Sequence, residues 1–168
     1  STEISEAALR RAAETARLAV GDGGGTLAEP PLPTNRRLYT DHDPFDDADF
    51  AAKVETLRAI DAYLRDLDPR VVQVSVSLAA SMQEVEILRP EGMRFAEARP
   101  MARLNVSVIV EENGRRESGS HGSGGRYGLQ GLIDPTHWQA SAHEALRIAT
   151  VNLRAEPAPA GVMDVVQS

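Results

Sequence analysis

Serine, histidine, glycine and arginine crowd together in Ser120-His121-Gly122-Ser123-Gly124-Gly125-Arg126-Tyr127-Gly128. The glycines leave backbone N–H groups unobstructed, and an arginine can grip a carboxylate or phosphate through two parallel hydrogen bonds. Such a stretch can cradle an anion or line a substrate cleft, or the glycines can simply serve a tight crossover. It is not a phosphate-binding P-loop: no Lys-Ser/Thr follows, and the stretch comes after an antiparallel hairpin where that motif needs a parallel strand. A nucleophile and base made of Ser120 or Ser123 with His121 is not expected. Neighbouring side chains in a strand or turn rarely converge, and no orienting acid is evident.

Two further patterns resemble metal sites without fulfilling them. Asp41, Asp43, Asp46, Asp47 and Asp49 alternate like calcium ligands, but the required glycine falls at Asp46 and the bidentate acid at Ala52. Capping and dipole stabilisation of the following helix account better for these acids. His143-Glu144 is followed by Arg147 and Ile148, so the second histidine of an H-E-x-x-H zinc motif is missing. His42, His121 and His137 also lack partners at ligand spacing, and no metal site is expected within this chain.

The elements that must position these residues follow from periodicity. Leu9, Ala12, Ala13, Ala16 and Val20 recur at helical spacing over residues 3–20, and GDGGG ends the pattern. A Pro-rich irregular stretch follows. From Asp47, the residues Phe50, Val54, Leu57, Ile60, Leu64 and Leu67 form one stripe of a helix over 47–67. Val72, Val74, Val76 and Leu78 alternate with Gln73, Ser75 and Ser77, which predicts a half-buried strand over about 71–79. A second strand is expected at about 82–89, a Pro90-Glu91-Gly92 turn next, and then a short run to Glu97 that Arg99-Pro100 interrupts. Strands at about 101–111 and 115–120 flank Asn113-Gly114, the strongest short hairpin signal, because both residues tolerate positive φ. Asp134 can cap a helix over 135–153, with Pro135 in its first turn and Trp138, Ala142, Ala145, Ala149 and Leu153 on one face.

The expected fold is α+β: a mostly antiparallel sheet of about four strands, two helices before it and one after, as a single domain over 1–155. Residues 156–168 read as a linker that enters a strand and is cut short. The length of 168 residues suits one domain, and aromatic content of only 4% makes its core aliphatic. A formal charge of -7 disfavours a non-specific grip on nucleic acid or an anionic membrane. The absence of cysteine excludes disulfides, thiolate zinc sites and cysteine nucleophiles within the chain. No apolar run approaches the ~20 residues that span a bilayer, and no signal peptide opens the chain, so a cytoplasmic location is expected.

Several segments together resemble one family. LYTDHDPFDDADFAAKV, DPRVVQVSVSLA, RPMARLNVSVIVEENGRRESGSHGSGGRYG and VNLRAEPAPAG are similar, in order and spacing, to the TldD branch of the TldD/PmbA family. The resemblance runs from about Leu38 to Gly161 and is most specific over residues 99–128. Members of this family, once described as modulators of DNA gyrase, are metallopeptidases that trim microcin precursors and degrade an antitoxin. The resemblance implies part of an N-terminal substrate-binding domain of a zinc peptidase that cleaves unfolded peptides. The family's HExxxH helix and third zinc ligand have no counterpart here. No catalytic or metal-binding residue is therefore carried over, and the chain alone is expected to be inactive, with zinc implied only for a full-length member. The resemblance also implies a homo- or heterodimer with a family member, and one wall of a cleft over the metal. It raises Gly122, Ser123, Gly124, Gly125 and Arg126 as peptide contacts, since an unfolded peptide can add a strand to a sheet edge. The alternative is a stand-alone, non-catalytic peptide- or protein-binding module on the same scaffold. No nucleic-acid role follows, because no basic groove is present.

Overall fold

A computed structural model describes residues 3–20, 39–89, 92, 94–157, 160–162 and 164, and the chain divides into two compact units, Ser1–Arg36 and Arg37–Ser168. The Pro-rich stretch before Tyr39, residues 90, 91 and 93 of the Pro90-Glu91-Gly92 turn region, and the end of the tail lie outside the described residues.

The first unit contains helix α1, Glu6–Val20, which starts three residues later than the periodicity implies because Ser5 stands at its head. The Ser5 hydroxyl accepts the Ala8 N–H at 3.2 Å, as an N-cap serine does. Ala8 is its buried residue and Leu9 of the expected stripe is exposed.

In the second unit a 3₁₀ turn at Pro44–Asp47 precedes α2, Phe50–Leu67. The aspartates act as the capping reading requires: Asp43 accepts the Phe45 N–H at 2.9 Å, and Asp49 accepts the Ala52 N–H at 2.7 Å. Helix α2 therefore begins at Phe50 rather than at Asp47. Only Ile60 and Leu64 of its stripe are fully buried, and Phe50 is 82% exposed.

Among the described residues three antiparallel strands in the order β1-β2-β3 form the sheet: β1 Val71–Leu88, β2 Arg94–Glu112 and β3 Arg115–Gly125. Three replaces the four expected, because Ala79 to Ser81 continue one extended strand and stay in register with Arg103 to Met101. Ala79 and Ser81 take solvent-facing positions of this single strand, and Ala80 packs against the core between them. Pro100 does not interrupt β2 either. Asn113 (φ 53°) and Gly114 (φ 79°) form the expected two-residue turn, and such a turn makes Glu112 and Arg115 a hydrogen-bonded pair. Alternation from that pair aims the N–H position of residue 100 at the β3 side, and β3 has already ended opposite Ala102. A residue without an N–H costs the ladder nothing there.

A bulge corrects the face assigned to Val72. Val71 pairs with Val110 while Gln73 pairs with Ile109, so Val72 is extra, and it lies 43% exposed. Val71 takes the buried place, and Val74, Val76 and Leu78 follow on that same face.

The core sits between this face and two helices. Ala102, Leu104, Val106, Val108 and Val110 of β2 pack with Ile60 and Leu64 of α2. A short α3, Gln130–Ile133, precedes α4, Pro135–Arg154, which Asp134 caps through the Thr136 N–H at 2.9 Å. The predicted face of α4 is the buried one: Trp138, Ala142, Ala145, Ala149 and Leu153. Each large aliphatic side chain so buried contributes about 1.5–3 kcal/mol. The alanines have a geometric reason. Helix α4 lies so close to β3 that a Cβ on Gly119 would collide with the backbone of Ala145 and Ala149.

Candidate functional site

The Gly-rich stretch is strand rather than crossover as far as Gly125, and β3 is an edge strand among the described residues. The alternation fixed by the Asn113-Gly114 turn pairs Glu117, Gly119, His121, Ser123 and Gly125 with β2 through their backbones. Ser118, Ser120, Gly122 and Gly124 then aim their N–H and C=O groups away from the sheet. The first of these is occupied: Asn152 of α4 donates to the Ser118 carbonyl at 3.0 Å. Arg115 closes the same end by donating to the carbonyls of Asn152 at 2.9 Å and Ala155 at 3.0 Å. Among the described residues, Ser120, Gly122 and Gly124 remain as a short open ladder.

The five residues singled out in the sequence do not share one environment. Gly122 and Gly124 lie on the exposed edge, and their side-chain positions are spoken for. A Cβ at 122 would meet the Arg103 guanidinium and the Asn105 amide, and one at 124 would meet the β2 backbone. Ser123 faces α4, where its hydroxyl lies 3.1 Å from His137 Nε2 and 3.4 Å from the Ser141 hydroxyl. His121 points the same way, with Nδ1 buried and unpartnered. Ser123 thus meets His137 and not its sequence neighbour His121, and its side chain is on the far side of the sheet from Gly122. Gly125 ends the strand against the Tyr127 ring.

Arg126 leaves the strand and closes the space where β3 has run out. Its Nη2 donates to the Glu97 carboxylate at 2.8 Å and to the Ala98 carbonyl at 3.2 Å, and its guanidinium lies 4.3 Å from the centre of the Tyr39 ring. Arg99, and after it Arg126, hold the Glu97 carboxyl below the usual range. Arg126 therefore stands in for a missing strand as well as facing a cleft of about 620 Å³ lined by Tyr39, Thr40, Met101, Gly125 and Tyr127.

Two residues at this site gave no readable signal in the sequence. Arg103 lies over the open edge, donating from Nε to Asn105 at 2.8 Å, while Asn105 reaches Ser77 of β1 at 3.3 Å. The register of β1 against β2 brings Ser77 beside Asn105. Asp47 read as one acid of a capping run, yet its carboxylate is 2% exposed and accepts the Leu129 N–H and the His42 ring Nε2. Gly128 leaves the room it occupies. Among the described residues no three His, Asp or Glu side chains converge as a metal site would require.

A family model described as PmbA/TldA metallopeptidase central domain matches residues 43–153. The chain is 39% identical over 173 residues to the Metalloprotease TldD homolog of Haemophilus influenzae, an alignment that covers 98% of this chain and 36% of that protein. It is 32% identical to the Metalloprotease TldD homolog of Buchnera aphidicola subsp. Schizaphis graminum, over 98% of this chain and 35% of that protein. The chain thus spans about a third of the length of the curated relatives it matches. The matched model is that of the central domain, where the resemblance in the sequence placed the chain in an N-terminal one.

Proposed function

Because the chain belongs to the PmbA/TldA metallopeptidase family, through its central domain, we propose that it is the substrate-binding part of a zinc peptidase acting on unfolded peptides. The observation that carries this reading is the open ladder of Ser120, Gly122 and Gly124 on β3. An extended peptide adds to such an edge through backbone hydrogen bonds, which require no particular sequence and so suit a peptidase of unfolded chains. The missing side chains at Gly122 and Gly124 let a peptide backbone approach closely, and Arg103 can meet its carbonyl or carboxylate groups from the open face. Gly125 and Arg126 close the groove at the strand's end.

In this reading the chain binds and orients the peptide. Zinc, held by residues elsewhere in a full-length member, would supply the electrophile and activated water for hydrolysis. Dimer formation with a family member and a cytoplasmic location belong to the same proposal.

Ser120→Pro tests it. Proline there removes one outward N–H and leaves the backbone pairing with β2 intact. Fluorescence anisotropy with a labelled, unstructured peptide should show binding to the native chain and at least ~5-fold weaker binding to the variant, the equivalent of one lost hydrogen bond. Equal affinity at equal thermal stability would refute edge addition.

A further inference from the structure

Beside the end of β3 a second cleft, of about 440 Å³, is lined by Thr40, His42, Asp47, Tyr127, Gly128 and Gln130. It adjoins the Arg126 cleft, with which it shares Thr40 and Tyr127. We propose that this cleft is a side-chain subsite for the bound peptide and that it takes a basic residue, lysine or arginine. The proposal rests on the edge-addition reading and adds a specificity to it.

The His42–Asp47 pair carries the argument. Asp47 is almost completely buried, whereas the His42 side chain is 51% exposed, and the two meet at 2.7 Å through Nε2 and Oδ1. A carboxylate accepts but does not donate, so it fixes the ring proton on Nε2 and leaves Nδ1 as an acceptor. The segment is held still around it. Thr40 Oγ1 accepts the His42 N–H at 3.0 Å, Asp47 accepts the Leu129 N–H, and a side chain at Gly128 would displace the Asp47 carboxylate. An oriented imidazole with a free acceptor is a prepared hydrogen-bonding group, and helix capping explains none of it.

Charge selects the ligand. Among the described residues no cationic side chain lines this cleft, while Asp47 lies within it and Asp43 and Asp46 belong to the same short segment. Arg126 of the neighbouring cleft is paired with Glu97, which Arg99 shares. Tyr127 offers an aromatic wall, and the neighbouring cleft already holds a guanidinium over Tyr39. A lysine or arginine can donate to His42 Nδ1 while its stem lies against Tyr127.

The experiment uses the 15N-labelled chain at pH 8 and blocked threonine-valine heptapeptides carrying lysine, norleucine or glutamate at each position in turn. Affinity is read from the amides of Ser120, Gly122 and Gly124, and occupancy of the subsite from the His42 ring nitrogens. Lysine at one position should bind about 5-fold or more tighter than norleucine, as expected for one exposed charged hydrogen bond with an aromatic contact. His42→Ala should abolish that preference and leave norleucine affinity unchanged, and His42→Gln should restore part of it. If the edge amides respond to every peptide but no position prefers lysine, or if the preference survives in His42→Ala, the subsite is wrong and edge addition stands. If no peptide moves the edge amides, edge addition itself fails, and the subsite with it.

Discussion

Arg126 Nη2 and Glu97 Oε1 lie 2.8 Å apart, joining the residue just past the end of β3 to the stretch of β2 that β3 no longer covers. The same guanidinium caps the Ala98 carbonyl, which the strand alternation points to that uncovered side. One side chain thus replaces the strand that would have paired with β2 before Ala102.

Arg126→Ala should therefore destabilise the fold even without any ligand. Its side chain is 26% exposed, so the loss is expected at about 1–2 kcal/mol after allowance for solvent screening. Arg126→Lys should recover less than half of it, since an ammonium cannot serve the carboxylate, the carbonyl and the Tyr39 face with one planar group. Urea denaturation of the three proteins checks this, and an unchanged midpoint in Arg126→Ala would show that the contacts carry no net stability.

Gly119→Ala places a methyl group against the α4 backbone at Ala145 and Ala149, neither of which can move without shifting the helix. A loss of about 1–3 kcal/mol is expected, as for overpacking elsewhere in cores. Gly131→Ala is the control, because nothing surrounds a Cβ there and an alanine in a helix is neutral or slightly stabilising. Thermal melts of both variants separate close packing from a general need for glycine.

Acid should weaken the junction between α2 and β1. Asp68 is held below its ordinary value first by the Arg70 side-chain hydrogen bonds, at 2.8 Å and 3.0 Å, and Arg70 also reaches Glu112 at 3.1 Å. The folded value lies below the unfolded one. The pair's contribution is therefore complete above the ordinary aspartate range, near pH 4, and is lost as pH falls through the lower folded value. Stability measured from pH 7 down to pH 2 should fall less steeply below about pH 4 in Asp68→Asn than in the native chain. Parallel curves would remove Asp68 from the account.

Where local chemistry decides an outcome, the sequence was legible. The Asn113-Gly114 turn, the caps at Asp49 and Asp134 and the buried face of α4 each depend on residues within one or two turns of one another. What failed depended on partners distant in the chain. Pro100 read as a breaker, because nothing nearby reveals that β3 ends opposite Ala102. Val72 read as core, because a bulge shows only when β1 is laid against β2. The Gly-rich run read as a crossover because low strand propensity outweighed its ladder with β2. Asp47 was hidden among acids of the same type, and its contact with Leu129 spans 82 residues.

The central claim is that an extended peptide adds to β3, and amide hydrogen exchange tests it most directly. With a saturating unstructured peptide, the amides of Ser120, Gly122 and Gly124 should gain protection. Those of Gly119, His121 and Ser123, already bonded to β2, should change little. That alternation is the expected result. Protection gained by none of the three outward amides, or gained uniformly along β3, would contradict strand addition.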